Sequence, residues 1–123
     1  MAKRRQIFVV EDDDAVRAST KTLLEAQGFL VREFADAETF LDATHGCSAD
    51  CIVLDLNLPG MSGWDAIAAL RARGVATPVI IVSGKAGMLA DRAAEPGVQA
   101  VLRKPLAAEA LLNWLEKIFS DEG

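Results

Sequence analysis

The sequence predicts an α/β domain built on a parallel sheet with helices on both faces. Three observations predict it. Four short apolar runs are spread along the chain, and three of them are continuous rather than alternating, as strands buried on both faces require. Segments of helical period lie between the runs. Strand then helix recurs five times, and right-handed crossovers between parallel strands lay helices on both sides of the sheet. The 123 residues read as a single domain over 1–123, with no internal linker, repeat or low-complexity stretch.

In chain order, Ile7, Phe8, Val9 and Val10 form the first strand. Val16, Thr20, Leu23, Leu24 and Gln27 mark the first helix, which Gly28 ends at a C′ position. Leu30, Val31, Arg32, Glu33 and Phe34 carry charge in mid-run, which suits an edge strand. Phe40 and Leu41 mark a short second helix starting near Asp36, a candidate N-cap. Cys51, Ile52, Val53 and Leu54 make the third strand. Trp64, Ile67, Ala68 and Arg71 mark the third helix, ended by Gly74. Val79, Ile80, Ile81 and Val82 make the fourth strand. A weaker fourth helix over 88–95 is stopped by Pro96 and Gly97. Val98, Gln99, Ala100, Val101 and Leu102 form the fifth strand. Leu111, Leu112, Leu115, Ile118 and Phe119 give the last helix a broad apolar stripe.

Composition narrows the function. The chain is 51% hydrophobic and 25% charged, as in soluble globular domains. A net charge of −5 argues against direct contact with nucleic acid, which needs a basic face. Lys3, Arg4 and Arg5 form the only tight basic cluster and read as a solvated lead-in. No apolar run approaches a membrane span, and the N-terminus is unlike a signal peptide, so the expected location is the cytoplasm, away from membranes. His45, Cys47 and Cys51 are too few to close a zinc tetrahedron. Cys51 reads instead as the start of a buried strand and Cys47 as a loop thiol.

Polar residues collect where the strands end. The first strand runs into Glu11, Asp12, Asp13 and Asp14, and the third into Asp55 with Asn57 two residues on. The fourth ends at Ser83 and Gly84, the fifth at Arg103, Lys104 and Pro105. Taken singly, each has an ordinary explanation. Asp13 and Asp14 can complement a helix dipole, Ser83 can serve a turn, and Lys104 can be solvated. Together they share the carboxyl edge of a parallel sheet, where such folds bind ligands. Clustered carboxylates need a cation, and hard oxygen donors suit Mg²⁺ rather than zinc or copper. A carboxylate beside that metal can attack phosphorus, while a lysine ammonium and a hydroxyl steady the transferring group.

These residues resemble a family. Val9 to Asp13, the stretch from Val53 through Asp55, Leu56, Asn57, Leu58, Pro59, Gly60, Met61, Ser62 and Gly63, Ile81 to Gly84, and Lys104 with Pro105 are similar to the receiver domain of two-component response regulators. The resemblance spans essentially the whole chain. It implies a flavodoxin-like, doubly wound fold with strand order 2-1-3-4-5. It implies Asp55 as phosphoacceptor and Asp12 as direct Mg²⁺ ligand. Glu11 then acts in the acidic pair through water, and the Asn57 backbone carbonyl supplies a further ligand. It also implies that Ser83 hydrogen-bonds the phosphoryl group, and that Lys104, before a cis bond to Pro105, pairs with Asp55 and then with the phosphoryl. The implied partners are a sensor histidine kinase or phosphotransfer protein and a downstream effector or output domain. A dimer through the fourth helix, fifth strand and fifth helix is a further implied contact. No enzyme activity is implied beyond the domain's own phosphorylation and dephosphorylation.

Three departures bear on the switch. Val101 stands where the family usually carries an aromatic residue, and valine has no ring to swing. The stretch from Ser83 to Lys104 is one residue shorter than usual. Lys85 occupies a variable position beside the route of the hydrolytic water. Two other functions would make different demands on these residues. A phosphatase of the haloacid dehalogenase type wants a second Asp where Asn57 stands, and asparagine cannot shuttle a proton. A degenerate receiver used only for docking would not need the full set of site residues. Trp114, on the flank of the last apolar stripe, is read either as an edge of the core or as part of a partner face.

Overall fold

The computed structural model describes residues 4–46, 48–84 and 97–120. Its elements are β1 (Gln6–Val10), α1 (Asp14–Ala26), β2 (Leu30–Phe34), α2 (Ala37–Ala43), β3 (Cys51–Asp55), α3 (Gly63–Ala72), β4 (Val79–Ser83), β5 (Val98–Arg103) and α4 (Ala108–Ser120). The five strands are parallel in the order β2-β1-β3-β4-β5. α4 is the helix the sequence places last. The weaker helix expected over 88–95 and the residues Cys47, Lys85 and Pro96 lie outside the described residues.

The continuous apolar runs became central strands. Every residue of β3 and β4 is buried, whereas β2 buries only Phe34, as its mid-run charges foretold. Cys51 does begin a buried strand. On one face Ile7, Val9, Val53 and Ile80 pack against Leu24 of α1 and Leu111, Leu115 and Ile118 of α4. On the other, Phe8, Val10, Ile52 and Leu54 pack against Phe40 and Leu41 of α2 and Ile67 and Leu70 of α3. Truncating one such fully buried leucine to alanine costs about 2–5 kcal/mol, because the cavity adds to the lost transfer energy. Phe8, Phe34 and Phe40 meet edge to face, with centroids 5.4–6.2 Å apart, and so bind β1, β2 and α2 together.

The helix starts are capped by short polar side chains that satisfy otherwise orphaned amides. Asp13 accepts from the Val16 amide at 3.0 Å, Asp36 from Thr39 at 2.7 Å and Ser62 from Asp65 at 3.2 Å. Gly28 (φ 94°) and Gly74 (φ 81°) take the left-handed conformation just past α1 and α3. Two of the apolar residues that mark helices face outward. Ala68 is exposed because the packed face of α3 is Gly63, Ala66, Ile67 and Leu70, and one further residue turns about 100° around the helix. Val16 is 37% exposed because the first turns of α1 look onto an open groove rather than the sheet.

Candidate functional site

β1 pairs with β2 on one side and β3 on the other, so the crossovers run in opposite directions across the sheet from β1, and at such a switch in strand order a crevice opens at the carboxyl edge. Asp55 is the last residue of β3 and Ser83 the last of β4. Both belong to the ladder, since the Leu56 amide still donates to the Val82 carbonyl at 3.2 Å. Strand register therefore fixes both backbones. Glu11 follows β1 directly, and its amide donates to the Phe34 carbonyl of β2 at 3.0 Å. Lys104 follows β5; its amide donates to the Ser83 carbonyl at 3.1 Å, and its bond to Pro105 is cis.

The side chains converge. The Lys104 ammonium lies 3.0 Å from Asp55 Oδ2 and 3.0 Å from Glu11 Oε1, bridging two carboxylates that are almost wholly buried. Asp55 Oδ1 accepts from the Asn57 amide at 3.0 Å, and Glu11 Oε2 from the Asp13 amide at 3.1 Å. One carboxylate oxygen each from Glu11, Asp12 and Asp55 lies within 4.8 Å of the others. Asp12 is exposed, and its carboxylate makes no hydrogen bond or ion pair among the described residues. Ser83 is buried.

Burial, with smaller help from the Asp55 charge, pushes the Glu11 carboxyl above the ordinary glutamate value, against the Asp13 amide and Lys104, which pull it down. Burial pulls the Lys104 ammonium down, but its bonds to Asp55 and Glu11 outweigh that and leave it raised. Among the described residues the site thus holds three acids against one ammonium. An all-oxygen donor set with one open, exposed carboxylate fits a hard divalent cation that keeps part of its water shell.

Glu11, Asp12, Asp55, Ser83 and Lys104 therefore all stand at one sheet edge, as the sequence led one to expect. Asn57 contributes its amide to Asp55, a contact the sequence reading missed while naming the carbonyl. The signal was present, since an Asp side chain commonly accepts from the amide two residues on. The bridge from Lys104 to Glu11 was also unforeseen, as was the hydrogen bond from Arg17 Nη1 to the Glu11 carbonyl at 2.9 Å. Beside the site, an open apolar groove of about 420 Å³ runs between Val16, Ser19 and Leu23 of α1 and Pro105 and Leu106, with Lys104 at its end.

The family model for the response regulator receiver domain matches residues 7–116. The chain belongs to this family. Among its relatives, the transcriptional regulatory protein FixJ of Bradyrhizobium diazoefficiens is 35% identical over 117 residues, covering 94% of this chain and 57% of that protein. The transcriptional regulatory protein TdiR of Thauera aromatica is 38% identical over 109 residues, covering 87% and 48%. This receiver spans about half the length of the curated relatives it matches. A CheY-like receiver from Methanospirillum hungatei superposes with a TM-score of 0.86 at 28% identity over 98% of each chain. The Francisella response regulator 1452 receiver domain superposes at 0.89 over 98% of this chain and 100% of its own; at 23% identity that likeness speaks for the fold. No helix among the described residues is long and apolar enough to cross a membrane.

Proposed function

We propose that this receiver, as one domain over 1–123, is a phosphorylation switch that takes a phosphoryl group onto Asp55 with Mg²⁺ held by Asp12, Asp55, the Asn57 carbonyl and, through water, Glu11. The observation that carries the reading is the Asp55 carboxylate itself. It is buried, held at one oxygen by the Asn57 amide and at the other by Lys104, and has the two acids of β1 beside it. A structural aspartate gains nothing from two further carboxylates within 4.8 Å.

In the proposed reaction an Asp55 oxygen attacks the phosphorus of a phosphohistidine on a sensor kinase or phosphotransfer protein. The new O–P bond forms as the P–N bond breaks, and the imidazole leaves with the bond's electron pair and takes up a proton. When bound, Mg²⁺ supplies charge neutralisation to the phosphoryl oxygens. Lys104 passes from Asp55 to a phosphoryl oxygen, and the Ser83 hydroxyl donates to another. The buried Glu11 and Asp55 keep their positions through backbone amides, so the site is assembled before the donor arrives.

The groove suits the approach of the donor protein, because it exposes Val16 on a surface that Lys104 also lines. The phosphorylated domain then signals to an effector or an output domain in the cytoplasm, with the face of β5 and the last helix available for a dimer. Intact-mass measurement after incubation with Mg²⁺ and a small phosphodonor tests the assignment. One phosphate should add to the native chain and none to Asp55→Asn. Undiminished labelling of Asp55→Asn would move the acceptor elsewhere, and an unlabelled native chain would favour a docking module without chemistry.

A further inference from the structure

Glu11 is held at its amide, its side chain and its carbonyl, and the holder of the carbonyl, which belongs to the Glu11–Asp12 peptide, is a charged side chain that the reaction itself does not use. The Glu11 amide is fixed by β2 and its carboxylate by Asp13 and Lys104. Its carbonyl is fixed by Arg17 Nη1 of α1 at 2.9 Å. The same guanidinium is aimed by two further acids. Nη2 donates to Asp14 at 2.6 Å, and Nε lies 3.6 Å from Glu33 of β2, which Lys21 also approaches at 3.5 Å. The Arg17 side chain is 15% exposed, while Asp14 is 88% and Glu33 36% exposed. Exposed ion pairs of this kind add little to stability. Their geometric effect is larger: they turn a planar fork so that its sheltered arm meets one particular carbonyl.

That carbonyl belongs to the peptide leading into Asp12, the one acid of the site whose carboxylate has no partner among the described residues. We infer that Arg17 is a positioning residue for the cation site: by locking the Glu11–Asp12 peptide it keeps the Asp12 carboxylate within reach of Asp55. The inference rests on the Mg²⁺ reading above and concerns how this chain prepares Asp12 for the ion.

The sign of the effect separates this role from electrostatics. Removing a positive charge near a cation site should tighten cation binding by Coulomb's law alone. Removing a positioning group should weaken it, by about tenfold for an outer partner of a ligand. Mg²⁺ titrations followed by Trp64 fluorescence and by backbone NMR read the dissociation constant directly, without any phosphodonor. Arg17→Met should raise it about tenfold, and Arg17→Lys should stay weakened because it keeps the charge but loses the fork. In an Asp12→Asn background the further loss from Arg17→Met should largely vanish, since both changes act through the same carboxylate.

Unchanged or tighter Mg²⁺ binding by Arg17→Met overturns the inference, as does a full additional tenfold loss in the Asp12→Asn background. Should circular dichroism show Arg17→Met unfolded, Arg17→Lys decides: wild-type affinity there overturns the inference. A native chain that shows no Mg²⁺ response overturns the functional reading and this inference with it, an outcome distinct from a native response that Arg17 does not influence.

Discussion

Lys104 sets its ammonium between two buried carboxylates, and its loss should be felt more in stability than that of an exposed lysine. Lys104→Met leaves Glu11 and Asp55 facing each other without a cation, at a cost of about 1–3 kcal/mol at neutral pH. The pH dependence follows from the shifts. A Glu11 carboxyl raised by burial binds its proton more tightly folded than unfolded, so its contribution is favourable below the ordinary glutamate range and is lost as pH rises through the folded value. The raised Lys104 contributes stability that is fully present below its unfolded value and is lost only as alkaline pH passes its folded one. Urea midpoints at pH 5 and 7.5 should therefore show Lys104→Met regaining stability on acidification more steeply than the native chain. Equal slopes would mean that Lys104 does not hold the Glu11 charge. Asp55→Asn removes one of the crowded charges while keeping an acceptor for Asn57, so it should be at least as stable as the native protein while losing the phosphate. Reaction and stability pull in opposite directions at this residue.

The strands and most helices were legible in the sequence because apolar continuity and helical period are direct images of burial. The strand ends were less so. The apolar runs stop at Leu54 and Val82, yet backbone pairing carries both strands one residue further, through the polar Asp55 and Ser83. Side-chain chemistry does not report where a backbone ladder stops. The start of α3 shows a similar gap. Ser62 caps it, and Gly63 sits so tightly under β3 that an added Cβ would lie 3.0 Å from Leu56 Cα and 3.1 Å from the Asp55 carbonyl. The sequence marks a Leu-Pro-Gly-Met-Ser-Gly stretch but not this close backbone approach, which only the folded chain reveals. Gly63→Ala has to move the peptide that carries Asp55, so it should lower stability by about 1–3 kcal/mol through overpacking and slow phosphorylation as well. Ser62→Ala should cost about 1 kcal/mol in the denaturation midpoint and leave the phosphorylation rate unchanged, because it frees only an exposed helix amide.

Val101 and Trp114 test how the two faces of the sheet communicate. Val101 packs with the cluster under α2 and α3, whereas Trp114 packs with the cluster under α1 and α4. A direct push from residue 101 to Trp114 would have to cross the sheet. Sequence alone could not reveal this, because the side of the sheet that each β5 residue faces depends on the bulge at Val79/Ile80, where Gln99 is skipped in the pairing. The shorter connection runs through Lys104. Leu102 and Leu106, which flank Lys104 and Pro105, both pack into the cluster that holds Trp114. A Lys104 ammonium drawn from Asp55 to a phosphoryl group would therefore pull on residues that pack against the same cluster as the last helix. The Trp114 ring is half-buried, with Lys117 Nζ 4.9 Å from its centroid, so a small shift of α4 changes how much of the indole meets solvent. In a Trp64→Phe chain, iodide quenching should change when Asp55 is phosphorylated. The change should shrink on adding Leu106→Ala, which removes a side chain from the connecting path while leaving every site residue in place. Quenching that responds to phosphorylation equally with and without Leu106 would route the signal elsewhere, and quenching that never responds would remove α4 from the switch.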